Sequence, residues 1–150
     1  MNRKKILSAV AKAYGTTSKQ LEDYLLQQNQ IGSDAHKQHV AENLGSVSSV
    51  LGAGGIGALG AMYTGATGQD AMDVAVPSMS VALAANLAGA IAAAVTKRRT
   101  LDEQVRGDKK SQMWNLIPGV GSYNSWKRIG FNLGVAREIA KAKKAEKGAD

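Results

Sequence analysis

Residues 47–69, VSSVLGAGGIGALGAMYTGATGQ, and residues 74–96, VAVPSMSVALAANLAGAIAAAVT, carry no charge and are joined by the acidic link Asp70-Ala-Met-Asp73. Each block is just over the ~20 apolar residues needed to cross a ~30 Å hydrocarbon core. Both are built from Gly, Ala, Ser and Thr more than from Leu or Ile, so hydropathy alone leaves them marginal. The fold expected from them is all-α: an integral membrane helical hairpin, with short amphipathic helices before and after it. The expected divisions are an N-terminal helical region 1–46, a first span 47–69, the link 70–73, a second span 74–96, and a basic, aromatic-containing region 97–150.

The distribution of charge supports this reading. The 150 residues are 44% apolar and 5% aromatic, an ordinary composition, but the charges are segregated. Residues 47–96 contain no Lys or Arg and only the two link aspartates, so all the positive charge lies on the flanks, and the link opposes it within the net charge of +7. Residues 97–150 alone hold thirteen basic side chains. Basic flanks around an acidic link obey the positive-inside rule with both termini on the cytoplasmic side, or on the equivalent interior of a vesicle or virion.

Small residues recur every four positions in both blocks. Ala53, Gly57, Ala61 and Gly65 form one row, with Gly60, Thr64 and Gly68 beside it; Ala85, Gly89 and Ala93 form another, beside Ala84, Ala88 and Ala92. Such rows let helix backbones approach closely in lipid, where burial of apolar surface no longer drives association. In water each glycine would cost a helix roughly 1 kcal/mol relative to Ala. Asn86 is placed to hydrogen-bond across the interface or to line a polar path, together with Ser78 and Ser80. Pro77 falls in the first turn of the second block as bounded here, where its missing N–H is tolerated.

The flanks read as short helices. Residues 2–14 suit a basic amphipathic helix stopped by Gly15. Thr17-Ser-Lys-Gln20 is a capping box opening a helix to about Gln28, and Ser33-Asp34 starts a third helix over 34–44. The N-terminus begins like a signal peptide, but Lys12 breaks its apolar stretch, so it is expected to be retained. Alone, this region has too few large apolar side chains for a sizeable core. Thr100-Leu-Asp-Glu103 is another capping box, cut short at Gly107. The following MWNLIPGVGSYNSWKRIGF (113–131) holds both tryptophans, and Pro118, Gly119 and Gly121 interrupt any helix through it. From about Ser122 a final helix carries the stripe Trp126, Ile129, Leu133, Ala136 and Ala140, with basic residues on its other faces. Lys97, Arg98, Arg99, Trp114, Trp126, Lys127 and Arg128 are the candidates for contact with anionic headgroups or nucleic acid.

Other motifs carry less. Gly52-Ala-Gly-Gly-Ile-Gly57 resembles the dinucleotide-binding fingerprint of Rossmann enzymes, with Asp70 and Asp73 near the expected distance. The resemblance implies a strand before the glycines and a doubly wound sheet around them; SVSSV is a poor buried strand and no further strands follow. His36, His39 and Glu42 share a helix face, but no other histidine and no cysteine can complete a metal site. No nucleophile–base arrangement is legible. No enzyme activity, cofactor or metal is therefore expected.

The function expected is a small structural or anchoring membrane protein in a larger assembly, such as a minor membrane protein of a virion linking bilayer to shell or genome. Its partners would be anionic lipid and other copies or shell proteins, with nucleic acid a further candidate through the basic C-terminal region. The alternatives are an oligomeric pore former of holin or genome-delivery type, lined by Asn86, Ser78 and Ser80, and a soluble helical assembly protein.

Overall fold

A computed structural model describes residues 2–96, 99–106 and 112–148. All regular structure among these residues is helical, with no strand. In order the elements are α1 (Arg3–Ala13), α2 (Ser18–Gln28), α3 (Asp34–Tyr63), α4 (Gln69–Val95), α5 (Leu101–Arg106), a 3₁₀ helix (Gln112–Leu116) and α6 (Val120–Lys147). They form two compact units. One gathers the described residues of 1–38, 97–110 and 127–150; the other gathers those of 39–96 and 111–126.

The first unit is built like a soluble protein. Asn2 caps α1 by accepting from the Lys4 amide. Gly15, at φ +62°, ends it in a Schellman turn, with the Thr16 amide on the Ala11 carbonyl at 3.0 Å. Both predicted capping boxes form: Thr17 with Gln20 at the start of α2, and Thr100 with Glu103 at the start of α5. The core contains Ile6, Leu7, Val10 and Ala11 of α1, Leu21 and Tyr24 of α2, Leu101, and Phe131 and Val135 of α6. Phe131 is fully buried, with Tyr14 and Tyr24 meeting it edge-on at 5.1 and 5.7 Å. The N-terminal helices lack a core of their own because the C-terminal third of the chain supplies it.

The second unit contains the two charge-free blocks, with boundaries that differ from the sequence reading. The helix expected over 34–44 and the first block are one helix, α3, of 30 residues. Its glycines do not break it, since nothing in that stretch supplies a stop signal before Gly65. The hairpin turn is therefore Thr64–Gly68, not the acidic link. Gly65, at φ +91°, is the residue after the cap: its amide reaches the Met62 carbonyl and the Ala66 amide reaches Ala61, both at 3.0 Å. Gly65 thus leaves the packing row assigned to it, and Gly68 (φ +53°) becomes the N-cap of α4. Asp70 and Asp73 fall in the opening turns of α4, where a negative charge suits the positive end of the helix dipole. Pro77 is correspondingly an interior residue of α4, depriving the Asp73 carbonyl of its usual amide partner.

Candidate functional site

The second unit is arranged inside out. Small and polar residues occupy the contact between α3 and α4: Ser49, Gly54 and Ala61 on one side, Ala71, Ala75, Ala82, Asn86 and Ala93 on the other. A Cβ on Gly57 would stand 2.6 Å from Ser78 Oγ, and one on Gly54 would overlap Met79. The large apolar side chains point away: Ile56, Leu59 and Val81 are 74%, 68% and 70% exposed, and Val47, Leu51, Met72, Leu83, Leu87 and Ile91 are exposed as well. Both helices are long and apolar enough to cross a membrane, and only 22% and 17% of their most apolar windows are buried. The core helix of a soluble protein has the opposite distribution.

Of the predicted packing residues, Ala61 and Ala93 are buried, and Ala53 and Gly57 are half-buried on the α3 face toward α4. Ala85 and Gly89 are half-buried too, but against a different neighbour. A Cβ on Gly89 would overlap the Gly119 carbonyl, and one on Gly119 would lie 2.8 Å from the Ala85 carbonyl. The chain around Gly119 (φ +90°) lies directly on the α4 backbone there. Gly45 and Gly121 seat the same segment, since a Cβ on either would stand 2.7 Å from Asn115. The small residues therefore serve two close approaches, helix on helix and helix on loop. The sequence reading anticipated only the first.

Asn86 is the polar centre of this unit. Its Nδ2 donates to Ser49 Oγ at 2.9 Å and to the Ala82 carbonyl at 2.8 Å. Its Oδ1 accepts from Ser122 Oγ at 2.9 Å and Ser46 Oγ at 3.2 Å, and those two hydroxyls are 2.7 Å apart. One buried side chain thus ties α3, α4 and the first turn of α6 together. Both amide hydrogens and the carbonyl oxygen are engaged inside the protein, so Asn86 presents no free polar atom to a lumen. Ser78 and Ser80 donate to the Val74 and Val76 carbonyls, at 2.8 and 2.9 Å, along their own helix. In this fold Asn86 is an interior residue, whereas Ser78 is half-buried toward Gly57 and Ser80 is exposed. Beside the knot, Val47, Leu51, Leu83, Leu87 and Trp126 line an apolar groove of about 390 Å³ with Ser46, Asn86 and Ser122.

The candidate surface cations divide. Lys97 and Arg98 lie outside the described residues. Arg99 and Arg128 are only 6% and 7% exposed, so neither is a surface contact. Arg99 Nη1 donates to Gln104 Oε1 at 3.4 Å; Gln104 donates to Tyr24 Oη at 3.2 Å, and Tyr24 donates to Asn132 Oδ1 at 3.0 Å. Arg99 is thus part of a buried polar chain in the first unit, the kind of arrangement that makes burying a charge tolerable. Lys127 is half-buried, whereas Trp114 and Trp126 are exposed. On α6 the core side is Phe131 and Val135, so Trp126, Leu133, Ala136 and Ala140 of the predicted stripe face outward instead.

Gly52–Gly57 lies within α3, and none of its glycines has the positive φ of a phosphate-cradling turn. No group of three His, Cys, Asp or Glu side chains able to hold a metal ion exists among the described residues. No family model, curated protein or solved structure matches the chain.

Proposed function

We propose that this chain is a small integral membrane protein whose role is structural: α3 and α4 anchor it as a helical hairpin, and the first unit stays in water to engage other components of an assembly. The observation that carries this reading is the inverted packing of α3 and α4, with alanine, glycine and one saturated asparagine inside and isoleucine, leucine and valine outside. In water that surface would be an aggregation hazard. In a bilayer it is the expected one, because lipid tails solvate large apolar side chains and only backbone proximity and polar bonds favour helix pairing. The basic flanks favour an orientation with both termini on the cytoplasmic side or its equivalent. The filled hydrogen bonding of Asn86 favours an anchor over a pore.

Alkaline carbonate extraction of membranes from expressing cells tests the proposal. The protein is expected in the pellet; recovery in the supernatant as a monodisperse species would overturn it. Loaded vesicles reconstituted with the protein should retain their dye, and rapid leakage would reinstate the pore.

A further inference from the structure

Residues 111–126 form the longest charge-free run outside the two blocks, bounded by Lys110 and Lys127. Four large apolar side chains of its described part, Met113, Trp114, Leu116 and Ile117, are exposed, although Asn115 between them is buried against Gly45. The segment is held firmly. Asn115 seats on Gly45 and Gly121, Gly119 lies on Ala85 and Gly89, Ser122 joins the Asn86 knot, and Ser125 donates to Asn43 at 2.7 Å. A rigidly seated backbone that turns its large apolar side chains outward has a surface partner.

The depth of the segment says which. Ser46 and Tyr63 are seventeen positions apart on α3, and Gln69 and Asn86 are seventeen positions apart on α4. At 1.5 Å per residue both arms run about 26 Å from the turn to the knot. Gly89, where Gly119 docks, lies about 30 Å from the turn by the same rise. That is the thickness of the hydrocarbon core. With the turn at one face of the bilayer, residues 112–126 come to lie at the other, on the side of the termini. The 3₁₀ turn and the Pro118-Gly119 corner leave backbone polar groups that hydrocarbon could not satisfy, which excludes a deeper position. Tryptophan beside aliphatic side chains, without charge, suits the headgroup boundary.

We propose that residues 112–126 are a third, non-spanning membrane element, in which Met113, Trp114, Leu116 and Ile117 insert into the headgroup boundary of the leaflet on the side of the termini. The occupant of this surface is phospholipid. The inference rests on the hairpin reading, and its test separates the two.

The test uses the full chain in vesicles whose phospholipids carry bromine either near the glycerol or at the chain tip. One variant, Trp126→Phe, keeps Trp114 as the sole tryptophan, excited selectively over the four tyrosines. A second replaces both tryptophans by Phe and adds Ile56→Trp, near the middle of the Ser46–Tyr63 arm, as a depth marker. The expected result is that shallow bromine quenches Trp114 more than deep bromine does, that the marker shows the reverse order, and that iodide quenches neither. A marker quenched by deep bromine with Trp114 open to iodide would overturn this inference and leave the hairpin standing. Trp114 shielded from iodide and from both lipids would also overturn it, because protein would then cover the segment. A marker insensitive to either lipid would overturn the hairpin and the third element together.

Discussion

At the scale of single residues, the same amino acid has opposite meanings at different places. A Cβ on Gly121 would stand 2.7 Å from the Asn115 carbonyl and 2.8 Å from the Ser46 amide nitrogen, both backbone atoms that cannot swing aside. Gly60, on the outer side of α3, has nothing within 4 Å. Gly121→Ala should therefore lower the thermal midpoint in detergent, by an overpacking cost of about 1–3 kcal/mol. Gly60→Ala should leave it unchanged or raise it, by up to about 1 kcal/mol of helix propensity. Equal effects from the two would contradict the seat described for residues 112–126. Asn86→Leu is expected to cost about 1–3 kcal/mol in the same assay, since the Ser49 hydroxyl loses the amide donor it accepts from, the Ser46 and Ser122 hydroxyls lose their common acceptor, and three helices lose their shared tie. An unchanged midpoint would show that the knot is a consequence of the packing rather than a cause of it.

At the scale of elements, the turn between α3 and α4 rests on two glycines at positive φ with open space around them. Gly65→Ala or Gly68→Ala should weaken the hairpin by about 1–2 kcal/mol through left-handed backbone strain alone. Gly65→Asn should recover part of the loss, because Asn tolerates that region; hydrogen exchange at the ends of α3 and α4 would report both. The existence of these helices was legible in the absence of charge and the repeating small residues, and both capping boxes were legible from four letters each. The turn was not. Asp70 and Asp73 looked like a link because charge is the conspicuous feature of the region, yet carboxylates are also favoured at helix starts. The deciding signal was the glycine pair in TGATG, masked by the many other glycines nearby. Likewise the stripe on α6 was assigned to the wrong face. Helical spacing identifies a row of residues, but the row that is buried is chosen by the shape of a distant partner, here the pocket for Phe131 made by Tyr14 and Tyr24.

At the scale of the molecule, two units are stabilised by different physics. Burial of aliphatic and aromatic side chains holds the first, and backbone proximity and hydrogen bonds hold the second. Phe131→Ala should remove about 3–5 kcal/mol from the first unit and melt its helices at lower temperature. Retention in carbonate-washed membranes should persist, because α3 and α4 do not draw on that core. A variant lost from the membrane would contradict the division. Site prediction followed the same division. Trp114 and Trp126 were legible as surface residues, whereas Arg99 and Arg128, read from a basic run, are interior. Composition cannot reveal which cations of such a run a fold encloses.

The five-residue turn Thr64–Gly68 has one more consequence in the proposed orientation. Inserting this hairpin requires no folded domain to be translocated: only the uncharged turn and the aspartates at the start of α4 reach the far side. That side then offers a partner almost nothing to hold. In that orientation, recognition must come from the compartment that holds the termini, or laterally within the plane of the bilayer.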